Sequence, residues 1–413
     1  MFAVFWSLTR AIILNTEEAA VLQDITMNQQ RPLTAAELDQ KSYLEARDSS
    51  DKELLIFAAR KSGRSPLKIQ REFRQLARSE SRLNLVEYVR NGLYHIDRFN
   101  DEERAAFISN DLHWPITHKC NDRRWAGAAE DKIVAETMLS AGDVPVPQTL
   151  AVLDTSSRLF PGKQKIQTPS ELRSFLQKHS GKTIFGKILN GMVSFGAFRI
   201  EQADDTHVHC AGHDPLTYQE FMQNYIGSNA YLLQKALDNH SEFSSYCSAL
   251  ATVRMVNMVT PERVITPLAI IKLPQGDNIA DAFWRPGNLA CEVDIETGCI
   301  RTIAQRGVET EFLRDHPSKG GLMGLQLPHW NELKEINDRA ARIFAPIRYQ
   351  STDIAITEDG PVLVEMNYGG GFDLPQYASG RGMLTPEVRA FFKSCGVELT
   401  PPRRKGLFSR RRK

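Results

Sequence analysis

The stretch DIAITEDGPVLVEMN, residues 353–367, constrains this chain more than any other segment. Two apolar runs, IAIT and PVLVEM, flank Glu358-Asp359-Gly360, and apolar runs around a Gly-containing turn specify a β-hairpin. A three-residue loop over these positions pairs Thr357 with Pro361 and therefore Asp353 with Glu365. Side chains alternate faces along a strand, so Glu365 and Asn367 share a face, and Asp353 joins them from across the ladder. A two-residue loop would shift the register by one and break the pairing. Three oxygen donors thus meet among apolar neighbours. Adjacent carboxylates repel and resist burial, so the arrangement asks for a cation, and oxygen donors alone suit Mg²⁺ or Mn²⁺. Taken by itself the segment fits equally a solvated edge hairpin with incidental acids.

The rest of the chain sets few limits on that reading. Its 413 residues, 42% hydrophobic and 24% charged, describe an ordinary soluble protein able to bury two or three cores, neither fibrous nor disordered. Cys120, Cys210, Cys247, Cys291, Cys299 and Cys395 are scattered without CxxC spacing, which predicts reduced thiols in a cytoplasmic setting and no zinc site. The start, MFAVFWSLTRAIIL, carries Arg10, lacks a basic leader region and is too short to span a bilayer, so a packed helix is expected there.

The net charge of +1 hides an asymmetry, because the last thirteen residues, PPRRKGLFSRRRK, hold seven of the 51 Lys and Arg and no acid. Such a tail is expected to be solvated, or to touch anionic lipid headgroups with Leu407 and Phe408 as apolar contacts. No basic surface interleaved with aromatics occurs elsewhere, which argues against a nucleic-acid partner.

Residues 1–125 read as a helical N-terminal region, with PLKIQREFRQLARSESRLNLVEYVR at helical spacing and Asn91-Gly92 as its stop. Residues 126–400 alternate helices and strands and predict an α+β body, with a smaller lobe over about 145–230 and a larger one over about 231–400; residues 401–413 form the basic tail.

Several residues inside this body suit an anionic ligand. KILNGMVSFG, residues 187–196, lies between two expected strands, and Lys187 with Gly191, Ser194 and Gly196 would give a phosphate both charge and room at the backbone. It is neither a P-loop nor a dinucleotide turn, and a glycine-containing hairpin with a surface Lys explains it as well. Lys132 opens a helix, where the macrodipole disfavours a cation unless an anion is near. Arg254 and Lys272 interrupt the apolar strands ATVRMVNMV and LAIIKLP, so each needs a partner if buried, or else guards a sheet edge.

In this order, DKIVAETMLSAGDVPVP, KILNGMVSFG, YLLQKALDNH, ATVRMV, VDIETG and DIAITEDGPVLVEMN followed by GFDLPQ resemble the sugar-transfer associated family of the ATP-grasp superfamily, over roughly residues 85–390. The resemblance implies the ATP-grasp fold, two α+β lobes clasping a nucleotide. It implies that Lys132 and Lys187 contact the α- and β-phosphates of ATP, that Gly191 to Gly196 cover the triphosphate, and that Leu233, Gln234 and Lys235 form a hinge receiving adenine. It further implies Arg254 and Lys272 as transition-state cations, Asp353, Glu365 and Asn367 as Mg²⁺ ligands, and Asp281 as an acid near the nucleotide. Two positions depart from the family pattern. Lys235 stands where Glu is usual, which removes a carboxylate that grips ribose, and Met192, Val193, Ser194 and Phe195 are bulkier than the usual loop.

The activity implied is that of an ADP-forming carboxylate-amine ligase working through an acylphosphate on small-molecule or glycan-linked carboxylate and amine substrates, with Asp373 and Arg381 in the acceptor pocket. Phosphoryl transfer to a non-carboxylate acceptor and a non-catalytic ATP-binding role remain as alternatives. No protein nucleophile is required, which suits the absence of a Ser/His/Asp or Cys/His arrangement.

Overall fold

The structure, a computed structural model, describes residues 32–45, 49–191 and 193–401. The helix expected near the N-terminus, Met192 and the basic tail after Pro401 lie outside the described residues. Among the described residues no helix is long and apolar enough to cross a membrane. The chain divides into two compact units: Met1–Arg47 with Gln148–Ala236, and Asp48–Pro147 with Leu237–Lys413. The helical N-terminal stretch is therefore shared between them.

The first unit is built on a seven-stranded sheet of β1 (Thr149–Leu153), β2 (Gln164–Ile166), β3 (Ile184–Ile188), β4 (Phe198–Ala203), β5 (His207–Cys210), β6 (Leu216–Thr217) and β7 (Tyr231–Lys235), in the order β2-β1-β7-β3-β4-β5-β6. Only β1 and β2 run parallel. The helix Pro169–Lys178 starts where its sequence says it should, with Thr168 and Glu171 in a capping box and Pro169 in the first turn. Its Leu172, Phe175 and Leu176 join Phe198, Phe221, Tyr231 and Leu233 in one core. Gly186 is needed in β3, because a Cβ there would lie 2.1 Å from Cζ of Phe198.

The second unit carries an all-antiparallel sheet of β8 (Thr252–Val259), β9 (Val264–Leu273), β10 (Leu289–Val293), β11 (Ala304–Gln305), β12 (Glu311–Phe312), β13 (Tyr349–Thr357) and β14 (Gly360–Asn367), in the order β12-β11-β10-β9-β8-β13-β14. Period-two alternation sends Val253, Met255, Ile271, Ile354, Ile356 and Leu363 to one face, under Trp330, Leu333 and Ile336 of the helix Trp330–Ile343. Buried Asn257 and Asn337 exchange hydrogen bonds of 2.8 and 2.9 Å, and Thr352 donates to Asn337 at 2.6 Å, which pins that helix to the sheet. On the opposite face Val256, Met258, Ile270 and Tyr349 pack against Phe372, Phe391 and Phe392. A smaller helical core gathers Leu54, Ile69, Tyr88, Val89, Tyr94 and Phe107. The single helical run expected before Asn91 is two helices, Pro66–Ala77 and Leu85–Arg90, parted where Arg82 takes a φ of 50°.

The hairpin departs from expectation in an instructive way. Its loop has two residues, since Thr357 pairs with Gly360 and Ile356 with Pro361. Asp353 nevertheless pairs with Glu365, because Ile354 pairs with Leu363 and the register then steps past Val364. A β-bulge absorbs the one-residue difference.

Candidate active site

The register of the second sheet places Glu365 on β14, Asp353 on β13, Arg254 on β8, Ile270 on β9 and Glu292 on β10 in one row across five strands. Two residue-pairs along, and so on the same face, Thr252 faces Lys272. Charged side chains that are far apart in sequence therefore converge on the face that holds the Phe372–Phe392 core.

Asp353, only 3% exposed, is the centre of this cluster. Its Oδ1 accepts from Nε of Arg254 at 2.9 Å and its Oδ2 from Nη2 at 2.7 Å, a two-pronged pair. Lys272 lies 3.2 Å from Oδ1 of Asp353 and 3.1 Å from Oδ2 of Asp281, and Thr252 Oγ1 also donates to Asp281. Asn367 Nδ2 stands 3.4 Å from Oδ2 of Asp353. Burial alone would raise the Asp353 carboxyl, but the charges of Arg254 and Lys272 outweigh it and hold the group well below its ordinary value. The guanidinium of Arg254 is held above its own ordinary value, since Asp353 and Glu365 overcome the opposing effect of burial.

Lys132 resolves its own anomaly. Asp131 caps the helix Lys132–Ala141 by accepting from the amides of Ile133 and Val134, and the Lys132 ammonium lies 3.0 Å from Oε1 of Glu365. Three cations, Arg254, Lys272 and Lys132, so face three carboxylates, Asp353, Asp281 and Glu365. The expectation that the hairpin acids lack protein partners is corrected here, because Arg254 and Lys272 pair with Asp353 and Lys132 pairs with Glu365. Among the described residues no group of three or more His, Cys, Asp and Glu side chains forms a metal cage. The donor set of two carboxylates and an amide still fits a hard cation that brings its remaining oxygen ligands with it, as Mg²⁺ does on a polyphosphate.

Beyond Asn367 the backbone turns through Gly369, Gly370 and Gly371. Ser351 Oγ donates to the carbonyl of Gly369 and Tyr349 Oη to that of Gly370, while Asn110 accepts the amide of Phe372. The carbonyls of Gly369 and Gly370 are tied down, and among the described residues the three glycine amides meet no protein acceptor. His113 sits over this turn, its Nε2 buried without a partner and 2.7 Å from where a Cβ on Gly369 would lie. Burial first, then the charges of His118 and Arg254, lower its pKa to about 4. Asp373 opens the helix Asp373–Ser379 beside Gly371, whereas Arg381 is paired with Glu292 at the far end of the five-strand row. Thr252 and Glu292 were missed from sequence. Glu292 carried the signal that marked Arg254, a charge inside an apolar strand.

In the first unit, Lys187 lies on β3 opposite Leu232, and Gln234 on β7 is buried with its amide donating to Thr149 at 3.0 Å. Lys235 is exposed at the end of β7, its backbone amide bonded to Gln148. Ser194 and Gly196 have φ values of 57° and 69°, and the Gly196 amide donates to Oδ2 of Asp39 at 2.8 Å.

Among solved structures, the chain resembles VanG D-Ala:D-Ser ligase from Enterococcus faecalis at 10% identity and a TM-score of 0.36, over 63% of this chain and 61% of that one. It also resembles D-alanyl-alanine synthetase A from Vibrio cholerae at 14% identity and 0.37, over 65% and 64%. A third likeness is to biotin carboxylase from Campylobacter jejuni at 12% identity and 0.38, over 67% and 48%. Each match spans less than two thirds of the other chain. No curated protein matches the chain. The profile of the sugar-transfer associated ATP-grasp family matches residues 114–391, well over half of the sequence and the whole stretch from His118 through the hairpin to the turn of glycines. The chain belongs to the sugar-transfer associated ATP-grasp family.

Proposed function

We propose that this protein is an ATP-dependent, ADP-forming carboxylate-amine ligase acting on a polysaccharide- or glycoconjugate-related substrate. The observation that carries the reading is the balanced cluster of Arg254, Lys272 and Lys132 against Asp353, Asp281 and Glu365, gathered over one face of the second sheet. A cluster with no net charge has little attraction for a bare divalent ion, but it accepts a polyphosphate and its counter-ion together at small electrostatic cost.

In this reading a substrate carboxylate oxygen attacks the γ-phosphorus of ATP and ADP leaves. The acylphosphate so formed is attacked at its carbonyl by an amine, and inorganic phosphate departs. Such transfer depends on positioning and charge neutralisation. Arg254 supplies a forked donor that Asp353 holds in one orientation, and Lys272 supplies a second cation between Asp353 and Asp281. Asp353, Glu365 and Asn367 would hold Mg²⁺ with the nucleotide, where it would offset charge on the phosphate oxygens. The amides of Gly369 to Gly371 suit the substrate carboxylate and the oxyanion that develops from it, with Asp373 and Arg381 on the acceptor side. Lys132, Lys187, Gly191, Ser194, Gly196, Gln234, Lys235 and Asp281 keep their nucleotide assignments as part of this proposal.

The test is product analysis. The full-length protein is incubated with Mg-ATP and panels of carboxylates and amines, and products are followed by mass spectrometry. ADP, phosphate and an amide support the reading. ADP with a phosphorylated acceptor, or no turnover with any pair while ATP binds, replaces it with phosphotransfer or with a non-catalytic role.

A further inference from the structure

We propose that the helix Ala35–Glu45 is an internal strap on the glycine loop of the first unit, in which the Asp39 carboxylate occupies a backbone amide that a nucleotide phosphate takes when the strap lifts. The proposal rests on the reading of Lys187, Gly191, Ser194 and Gly196 as nucleotide contacts, and it adds regulation to that site.

Three separate contacts hold helix and loop together. Asp39 Oδ2 accepts the Gly196 amide at 2.8 Å, across 157 residues of sequence. The rings of Tyr43 and Phe195 meet edge to face with centroids 5.5 Å apart. The Cβ of Ala36 comes within 3.1 Å of where a Cβ on Gly196 would stand, and Tyr231 Oη within 2.6 Å, so only glycine admits the helix this closely. These three side chains recur along AAELDQKSYLE at spacings of three and four, which puts them on one helix face. The helix is firmly seated at its start: Thr34 and Glu37 cap it reciprocally, and Ala35 belongs to the core of the first unit.

The loop beneath is held in a conformation that it does not favour by itself. Val193 and Ser194 have φ values of 58° and 57°, a left-handed region that non-glycine residues occupy only when their surroundings impose it. An ionised carboxylate on a backbone amide is also the arrangement that a phosphate oxygen would make at the same amide. One amide hydrogen cannot serve both, and the Asp39 charge repels an incoming triphosphate. Strap and nucleotide are therefore mutually exclusive at Gly196, and binding includes the work of displacing Asp39. The helix lies outside residues 114–391, the stretch that the family model matches.

The experiment measures Mg-ATP affinity by calorimetry for the full-length protein, Asp39→Ala and Tyr43→Ala, with amide exchange of the loop peptide followed by mass spectrometry in each. Tyr43→Ala loosens the helix without touching the hydrogen bond, so it tests the strap should Asp39→Ala fold poorly. The expected result is binding at least fivefold tighter in both variants, faster exchange of the unliganded loop, and protection of the loop by ATP. If ATP protects the loop and the variants bind it equally or more weakly, Asp39 builds the loop and the strap is refuted. If ATP binds without changing loop exchange, or does not bind at all, the nucleotide reading of the loop falls and the strap falls with it.

Discussion

Replacing Asp353 by Asn tests whether the charge cluster is arranged as the geometry indicates. The substitution keeps the size of the side chain and removes the charge that Arg254 and Lys272 share. Arg254 loses the most, because its fork meets both carboxylate oxygens, at 2.9 and 2.7 Å, and the Asn amide would turn a donor toward a donor. Lys272 loses less, since Asp281 remains 3.1 Å away. Breaking a buried pair from one side costs about 3–5 kcal/mol, and that is the loss of stability expected. Urea unfolding followed by tryptophan fluorescence is the assay, because the described tryptophans, Trp114, Trp125, Trp284 and Trp330, all belong to the second unit. Asp338→Asn, which removes an exposed pair one helical turn from Arg342, is the control and should change stability by only about 0.5 kcal/mol. The pH dependence has a definite sign. The Asp353 carboxyl is held below its usual 3.8, so its contribution is present above that value and lost as the pH falls, and the variant lacks this acid limb. Adding Arg254→Met should recover stability relative to Asp353→Asn alone, since it removes the stranded charge. A loss below about 1 kcal/mol for Asp353→Asn, or no recovery in the double variant, would falsify the arrangement.

Lys187→Ala should weaken Mg-ATP binding by about 1–3 kcal/mol in calorimetry at fixed salt, against no change for Lys178→Ala; equal affinities would return the KILNGMVSFG loop to a plain hairpin. Glu365→Gln should abolish turnover, and because it strips Lys132 of a partly exposed partner it should lower stability by about 1 kcal/mol in urea; an active variant removes Glu365 from the metal set. His113 titrates near 4 when folded against 6.5 when unfolded, so the folded state binds fewer protons between these values and stability is lost as the pH falls through them, by about 3 kcal/mol at about 1.36 kcal/mol per pH unit. His113→Phe should flatten that limb of a stability-against-pH curve, and an unchanged curve would place the titrating group elsewhere. The tail, at about 1 kcal/mol per Lys or Arg near an anionic surface, should carry the full-length protein to anionic but not neutral vesicles at low salt, and deletion of residues 401–413 should end co-sedimentation while leaving ATP turnover intact.

Much of this site could be read from residue type and position. A Lys at a helix start, an Arg and a Lys inside apolar strands, and acids on a hairpin each signalled an unmet electrostatic demand, and the fold meets all of them within one cluster. Their partners were not legible. Arg254 and Asp353 stand 99 residues apart and Gly196 and Asp39 157 apart, and nothing local fixes such pairings. The sequence therefore shows that the acids need a cation without showing that Arg254, Lys272 and Lys132 lie beside them. A continuous helical spacing also concealed a break between Ala77 and Leu85, where no Gly or Pro marks the interruption and the signal is instead the Asn84–Glu87 capping box that starts the second helix.

The hairpin shows how a correct pairing can come from an incorrect loop. With two loop residues and an unbroken ladder, Leu363 on the core face would be followed by Val364 on the site face, and then Glu365 and Asn367 would enter the core while Met366 left it. Burying an acid and an amide while exposing a methionine costs several kcal/mol, more than a bulge does. The pressure to keep Met366 beneath the sheet and Glu365 above it therefore selects the bulge at Val364, and Met366 is indeed 3% exposed within the apolar core. The polarity pattern of LVEMN dictates the face of each residue whatever the turn does. The short turn, closed by Gly360 at a φ of 114°, then comes at the expense of one irregular step. That step lies immediately before Glu365, so Val364 and Glu365 share the site face and the strand bends at the point where its carboxylate must reach Lys132.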